Sequence, residues 1–258
     1  MRLVAENISR QFIRKTRTGN VFNAVEPMDL TLEGGRLTVL LGRSGGGKST
    51  LLNMLAGLLE PTTGEVKVFG AGAVGEQKNE ESRQRTSSSV SEKADTAGQG
   101  GGDSAGVSLY KLDDGALSRF RNRYIGVVPQ GQTAVTSLSV EENIALPYTL
   151  YGVKAPQEKI DALMKELDIS RLKEAYPAEL SGGEMRRMAI ARALMRDPGV
   201  ILADEPTGDL DDENTETVLQ LLKHRAEAGA CVLLVTHEER ARVYADDIWK
   251  MAEGRIEF

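Results

Sequence analysis

The 258-residue chain has little of several residue types that mark whole classes of protein. It contains one cysteine, two histidines and one tryptophan, and only 5% of its residues are aromatic. Because a single cysteine cannot form an internal disulfide, a disulfide scaffold is excluded. The 32 lysines and arginines are outnumbered by 38 aspartates and glutamates, which gives a net charge of -6. This balance argues against a nucleic-acid binder that works by bulk positive charge.

Long apolar runs are also missing. The most apolar stretches, at 37–41, 200–203 and 231–235, fall far short of the roughly 20 residues that a helix needs to cross a bilayer. The first 12 residues mix charged and apolar side chains, so no signal peptide is expected. With 40% hydrophobic and 27% charged residues, the composition predicts an intracellular globular protein without a membrane span of its own.

A low-complexity segment occupies residues 71–106. It contains no leucine, isoleucine or aromatic residue and is rich in serine, glycine, glutamate, glutamine and lysine. Such a composition cannot bury enough apolar surface to offset the entropy lost on ordering. We therefore expect a flexible insertion. A passive surface excursion is the simplest interpretation, and a regulatory or docking role, with the serines at 87–89 as modification sites, is the alternative.

Elsewhere, short apolar runs typical of buried strands alternate with helical patterns. The run at 37–41 is followed by leucines at helical spacing over 49–59, and the runs at 200–203 and 231–235 each follow a helical segment. This alternation predicts an α/β core with a largely parallel sheet. Residues 140–180 show only helical patterns. We therefore expect one domain, 1–258, with a helical subdomain at about 131–180 inserted into the core.

A glycine-rich stretch lies between the first strand and its helix. Residues 42–49 read Gly-Arg-Ser-Gly-Gly-Gly-Lys-Ser, which fits the phosphate-binding loop in the strand-to-helix context that this pattern requires. Backbone N–H groups of such a loop point at phosphate oxygens, and the following helix adds its positive end. Lys48 would reach the β- and γ-phosphates, and Ser49 would hold Mg²⁺. The positions expected to contact a nucleoside triphosphate are Gly42, Arg43, Ser44, Gly45, Gly46, Gly47, Lys48, Ser49 and Thr50.

Two acidic residues, Asp204 and Glu205, follow the apolar run at 200–203. Strand ends of an open parallel sheet present side chains to a ligand at its edge. Asp204 is placed to hold the metal through water, and Glu205 to polarise the water that attacks the γ-phosphate. Without the phosphate loop, two solvated acids at a strand end would be an adequate interpretation.

A third motif reads Leu-Ser-Gly-Gly-Glu at 180–184. On its own it predicts a helix start, with Ser181 as the N-cap and Glu184 completing a capping box. Together with the phosphate loop and the acidic pair, it resembles the signature of the ATP-binding cassette (ABC) ATPases, and residues 186–194 continue it in that family's manner.

The resemblance covers nearly the whole chain apart from 71–106. It implies an α/β fold: a P-loop NTPase core with a mainly parallel sheet, an antiparallel β subdomain and an inserted helical subdomain. It also implies an enzyme that hydrolyses ATP with Mg²⁺ as cofactor.

The resemblance assigns roles to further residues. Gln130 resembles the glutamine that contacts Mg²⁺ and the attacking water and that couples the core to the helical subdomain. His237 resembles the histidine that contacts the γ-phosphate, and Asp211 lies in the loop that contacts the opposite subunit's site. Phe12 aligns with the aromatic residue that stacks on adenine. Phe22 competes for that role, and a plain core position is a further alternative for Phe12.

Partners are implied in the same way. In this family Ser181 and Gly183 bind the γ-phosphate of ATP held by the other subunit, and Gly182 and Glu184 belong to the same motif. With one copy of each motif, the chain is expected to form a head-to-tail homodimer around two ATP molecules, which separates after hydrolysis. It is expected to work at the cytoplasmic face of the membrane on a separate integral membrane permease, docking near Gln130. No nucleic-acid partner is expected.

Residues 207–211 and 141–147 resemble those of the ATPases of lipoprotein-release, macrolide-efflux and peptide-resistance transporters and of their cell-division relative. Export, or extraction by mechanical transmission, is therefore the expected task. The alternative is a non-transport cassette that acts as an ATP-gated signalling clamp. One departure is Pro129, which stands where an aromatic residue is common before the glutamine.

Overall fold

The computed structural model describes residues 1–13, 21–71 and 106–257. The low-complexity segment expected to be flexible, with its serines at 87–89, therefore lies outside the described residues except for its two ends. Within the described ranges, no helix is long and apolar enough to cross a membrane.

The described residues form two β-sheets and six α-helices. The strands are β1 Arg2–Ile13, β2 Val21–Glu33, β3 Arg36–Leu41, β4 Thr63–Phe69, β5 Val107–Ser108, β6 Ile125–Val128, β7 Val200–Asp204, β8 Cys231–Thr236, β9 Asp247–Ala252 and β10 Arg255–Glu257. The helices are α1 Lys48–Leu55, α2 Asp114–Tyr124, α3 Val140–Thr149, α4 Gln157–Glu166, α5 Gly182–Leu194 and α6 Asp212–Glu227.

The larger sheet has the strand order β10-β9-β3-β8-β7-β6. Strands β9, β3, β8, β7 and β6 are parallel, and β10 is an antiparallel edge strand. The smaller sheet, β2-β1-β4-β5, is antiparallel throughout. The expected α/β fold class, with a mainly parallel core sheet and an antiparallel β region, is confirmed.

Two hydrophobic cores lie on the two faces of the larger sheet. Along β8, Val232 and Leu234 pack with the apolar faces of α3, α4, α5 and α6, whereas Leu233 and Val235 pack with α1 and the antiparallel sheet. A strand whose two faces are both buried needs an unbroken apolar run, which is why these strands were visible in the sequence.

Residues 140–180, all of them described, are helical as expected: α3 and α4 are followed by two 3₁₀ turns, Ser170–Leu172 and Pro177–Glu179. The stripe of Ile160, Leu163 and Met164 on α4 is buried. These residues share a core with β3, β7 and β8, so the division into a subdomain at about 131–180 stays a prediction.

The helix after the phosphate loop is shorter than the sequence pattern over 49–59 predicts, because α1 ends at Leu55. Gly57 adopts φ 66, and the N–H groups of Leu58 and Leu59 both return to the carbonyl of Asn53. The chain leaves the helix in a tight turn there.

Candidate nucleotide site

The phosphate loop connects β3 to α1 and packs against two other strands. A side chain at Gly47 would meet the carbonyl oxygen of Ala24 at 2.2 Å, and one at Gly42 would meet that of Met251 at 2.2 Å. The N–H of Gly254 also donates to Gly46 O at 3.1 Å. The loop is therefore held between β2 and the end of β9, with its glycines at points of close backbone approach.

Lys48 begins α1 and lies inside this loop. The residue is only 7% exposed, and its Nζ donates to the carbonyls of Gly42 at 2.7 Å and Arg43 at 3.0 Å. These two carbonyls satisfy the buried ammonium group and keep it pointing into the loop. This is the arrangement expected of a lysine that binds phosphate.

A cavity of about 490 Å³ opens over the loop. Its lining brings together most of the residues that the sequence singled out, from the loop, from β1, and from the carboxyl ends of β6 and β7. The lining residues are Phe12, Phe22, Asn23, Ala24, Ser44, Gly45, Gly47, Lys48, Ser49, Thr50, Gln130, Asp204, Glu205, Glu253 and Gly254.

Asp204 ends β7 at the floor of this cavity. It is 4% exposed, and this burial raises the pKa of its carboxyl group, opposed by a hydrogen bond from Ser49. The two groups expected to hold Mg²⁺ on this side of the cavity are thus in direct contact. A desolvated carboxylate beside a hydroxyl gains from a nearby cation, which would stabilise its charged form.

Glu205 follows with a backbone φ of 49, a region that non-glycine residues seldom adopt. Its N–H still donates to Val235 O at 2.8 Å, so the strained turn redirects the side chain while the residue stays tied to β8. Such strain is typical of functional positions.

The Glu205 carboxylate is joined to His237, which follows β8. His237 Nδ1 lies 2.9 Å from Oε1 and 3.0 Å from Oε2. The hydrogen bond that the ring donates to this carboxylate, followed by the carboxylate's negative charge, raises the pKa of the imidazole. The His237 side chain is 70% exposed, so it could turn toward a bound ligand.

Phe12 and Phe22 are directly opposite each other on β1 and β2. Their ring centroids are 5.9 Å apart, and both rings line the cavity. Both therefore stay candidates for stacking on the base. Asn23, Ala24 and the turn Glu253–Gly254 also line the cavity and were missed in the sequence, because no local motif marks them.

The signature motif lies away from this cavity. Ser181 caps α5: its Oγ accepts from the N–H of Glu184 at 3.3 Å, and the Glu184 carboxylate accepts from the Ser181 N–H at 2.9 Å. The predicted capping box is therefore confirmed. The Ser181 N–H and hydroxyl hydrogen bonds lower the pKa of Glu184.

Asp211 caps α6 in a similar way by accepting from the N–H of Asn214 at 2.8 Å. Within the described part of the chain, neither the signature residues nor Asp211 line the cavity. The members of this group are Ser181, Gly182, Gly183, Glu184 and Asp211.

Comparison with known families gives a direct match. The family model described as "ABC transporter" matches residues 25–100 and 104–208. Among curated proteins, the lipoprotein-releasing system ATP-binding protein LolD of Chromohalobacter salexigens is 32% identical, over 98% of this chain and 92% of its own length. The macrolide export ATP-binding/permease protein MacB of Acinetobacter baylyi is also 32% identical, but the chain spans only 33% of that protein. It spans 52% of a methionine import protein, MetN 2 of Paraburkholderia xenovorans, at 34% identity.

Solved structures agree with this assignment. The ATP-binding cassette MJ0796, in a dimeric post-hydrolysis state bound to ADP and Pi, has a TM-score of 0.78 at 28% identity and covers 99% of this chain and 97% of its own. The curated relatives named above are transporter components, which favours transport over the signalling alternative. The chain belongs to the ABC transporter family of ATP-hydrolysing cassettes.

Proposed function

We propose that this chain is the ATPase subunit of an ABC transporter in which two copies close around two ATP molecules and drive a separate membrane permease. The observation that carries the proposal is the convergence of Lys48, Ser49, Gln130, Asp204 and Glu205 on one cavity. They lie at or after the carboxyl ends of β3, β6 and β7 in the parallel sheet, the edge at which such folds bind nucleotides.

The triphosphate would lie along the phosphate loop at the start of α1. Lys48 neutralises the β- and γ-phosphates by exchanging its two loop carbonyls for phosphate oxygens, and the N–H groups of the loop donate to the remaining oxygens. The base would stack on Phe12 or Phe22 at the other end of the cavity.

The residues fit a magnesium ion as cofactor. Ser49, Asp204 and Gln130 offer a hydroxyl, a carboxylate and an amide oxygen, the hard oxygen ligands that Mg²⁺ prefers together with phosphates. In the described ranges, no group of three or more His, Cys, Asp or Glu side chains could hold a metal by itself. Bound there, the ion would offset phosphate charge.

Glu205 is the group that fits the role of general base. In hydrolysis, a water oxygen bonds to the γ-phosphorus as the bond to the β-phosphate oxygen breaks, ADP leaves, and the water proton passes to the Glu205 carboxylate. His237 holds both carboxylate oxygens. While His237 is hydrogen-bonded to the Glu205 carboxylate, it competes with the attacking water for the carboxylate oxygens. When His237 turns toward the γ-phosphate, Glu205 is free to accept the proton from that water.

The signature residues complete the site across a dimer. Ser181 at the N-terminus of α5 is placed to receive a phosphate, because a helix start offers free N–H groups and a partial positive charge. Since Ser181 lies outside the cavity of its own chain, the phosphate it contacts belongs to ATP on a second copy. This requires a head-to-tail arrangement of the two copies.

A second cavity, of about 420 Å³, is a candidate for the permease contact. It lies among α2, α3 and α5, and its rim includes Leu58, Leu150 and Tyr151, which are 52%, 67% and 41% exposed. Exposed apolar side chains grouped around a groove are typical of a docking site. A permease segment bound here would hold the chain at the cytoplasmic face of the membrane.

The test is the Glu205→Gln variant, with Glu227→Gln on the exposed end of α6 as the matched control. Loss of a general base lowers turnover by roughly 10² to 10⁴-fold, and ATP with Mg²⁺ should trap Glu205→Gln as a dimer in size-exclusion chromatography. The control should hydrolyse ATP at the wild-type rate. Normal turnover by Glu205→Gln would remove Glu205 from the role of base, and a variant that stays monomeric with ATP would contradict the shared site.

A further inference from the structure

Arg186, on the second turn of α5, contacts the segment that carries Gln130. Its Nη1 donates to the carbonyl of Pro129 at 2.8 Å and lies 3.5 Å from that of Gly131. Its side chain is only 6% exposed. One guanidinium group therefore contacts the carbonyls of the residues on both sides of Gln130, a contact that the sequence did not predict.

The far end of the same segment is fixed independently. Arg192, two turns further along α5, donates to Thr133 O at 2.9 Å and to Thr133 Oγ1 at 2.6 Å. Asn143 on α3 is fully buried, donates to the carbonyls of Val135 and Leu138, and accepts from the N–H of Val135. From Thr133 onward, the segment is thus attached to the helices.

The near end is attached to the sheet, because β6 ends at Val128. Only residues 129–132 connect the two fixed ends. Among them, Gly131 adopts φ 88, with nothing within 4 Å of where a side chain would stand. A glycine in open space leaves the backbone free to change direction, so no side-chain packing at Gly131 fixes the path of this connection.

Arg186 also lies near an acidic side chain of the loop that follows Glu205. The Nη2 of Arg186 lies 3.7 Å from the Asp209 carboxylate, whose side chain is 59% exposed. Asp209 precedes Asp211 in the loop after Glu205. A buried guanidinium requires acceptors for its donors, and here they come from the Gln130 segment and from the Asp209 loop.

We propose that Arg186 is a positioning residue that sets the location of Gln130. Through it, α5, whose N-cap is Ser181, is coupled to the end of the chain's own cavity where Mg²⁺ would bind. The proposal rests on the proposed function of Gln130 as a metal and water contact. Arg186 does not touch the nucleotide. It decides where the peptide units around Gln130 lie.

The test compares Arg186→Gln, Arg186→Lys and the control Arg123→Gln. Arg123 is an exposed arginine on α2 that contacts the carbonyl of Arg196 at 3.5 Å and the ring of Tyr124 at 5.9 Å, outside the cavity. Misplacing a catalytic group by about 1 Å costs roughly 10²-fold, so we expect the kcat of Arg186→Gln to fall about 10- to 100-fold. Arg186→Lys, which can hold one of the two carbonyls, should lose a few-fold, and Arg123→Gln nothing.

Binding separates positioning from folding. With Glu205→Gln added to prevent hydrolysis, the ATP dissociation constant of Arg186→Gln in EDTA should stay within about twofold of the parent, because the phosphate loop is intact. The gain in affinity on adding Mg²⁺ should shrink, and the unfolding midpoint should be unchanged. A kcat within twofold of wild type would overturn the proposal, and so would an equal loss of ATP binding in EDTA.

If Arg186→Gln does not fold, the same measurements are made on Arg186→Lys. A wild-type kcat would then overturn the proposal, and a reduced kcat with unchanged ATP binding in EDTA would support it. ATP hydrolysis by the wild type, and its loss in Glu205→Gln, test the proposed function separately. A failure of the Arg186 proposal therefore leaves that function standing.

Discussion

Replacing Gly47 by alanine should destabilise the protein more than the same change at Gly45, two residues earlier in the phosphate loop. Both glycines have positive φ, 99 and 80, so both variants carry the cost of a left-handed alanine, about 1 to 2 kcal/mol. A methyl at position 45 meets nothing within 4 Å, whereas one at position 47 would stand 2.2 Å from Ala24 O, against a normal minimum of 3.0 Å.

The backbone of β2 or of the loop must therefore move by about 0.8 Å in Gly47→Ala. Forced displacement of a packed group costs a further 1 to 3 kcal/mol or so. We expect a loss of about 1 to 2 kcal/mol for Gly45→Ala and about 2 to 5 kcal/mol for Gly47→Ala. The larger loss is a large part of the roughly 5 to 15 kcal/mol that holds a typical domain folded.

Urea unfolding without nucleotide measures the loss in unfolding free energy of each variant, provided that the slope of that free energy against urea concentration is the same in both. ATP affinity measured in parallel shows whether Gly47→Ala also misplaces the loop. Equal destabilisation by the two variants would refute the close contact between the loop and β2. So would a loss below about 1 kcal/mol in Gly47→Ala, since that variant should exceed the backbone cost alone.

Three further predictions follow from single side chains. The pKa of His237, followed by NMR, should lie above 6.5 and fall toward that value in Glu205→Gln. The stability that the His237–Glu205 pair contributes is fully present below the unfolded-state pKa of His237, and it is lost as pH rises through the raised folded-state pKa. Leu163→Ala on α4, at 2% exposure, should cost about 3 kcal/mol, whereas Leu150→Ala, at 67% exposure, should stay within about 0.5 kcal/mol in denaturant unfolding. Lys48→Met should weaken ATP binding at least tenfold or so by calorimetry, since it removes a charge-assisted contact.

The parts of the fold that could be predicted from sequence are those in which local pattern and global burial agree. Strands β3, β7 and β8 are buried on both faces and so had to be apolar runs. The residues that follow them had to lie at one edge of the sheet. This reasoning predicts that the phosphate loop and Asp204 with Glu205 share one edge of the sheet, whereas His237 could be assigned only through the family resemblance.

The parts that could not be predicted depend on contacts between distant segments. The turn Glu253–Gly254 reaches the cavity because Gly254 donates to Gly46 O and accepts from the N–H of Glu26. Asn23 and Ala24 reach it because β2 passes beside the loop. Neither pair carries a motif, and only the pairing of β10 with β9 and of β1 with β2 brings them there.

In the dimer proposed above, helix α5 would take part in two sites. Its first residue follows Ser181, which is directed away from the chain's own cavity, and its next turns hold the Gln130 segment through Arg186 and Arg192. Helices move as rigid bodies, so a phosphate that draws Ser181 toward a second copy also moves both arginines. If two copies share their ATP sites as proposed, coupling between the sites would require no long chain of side chains, because one helix of 13 residues would contact a part of each site.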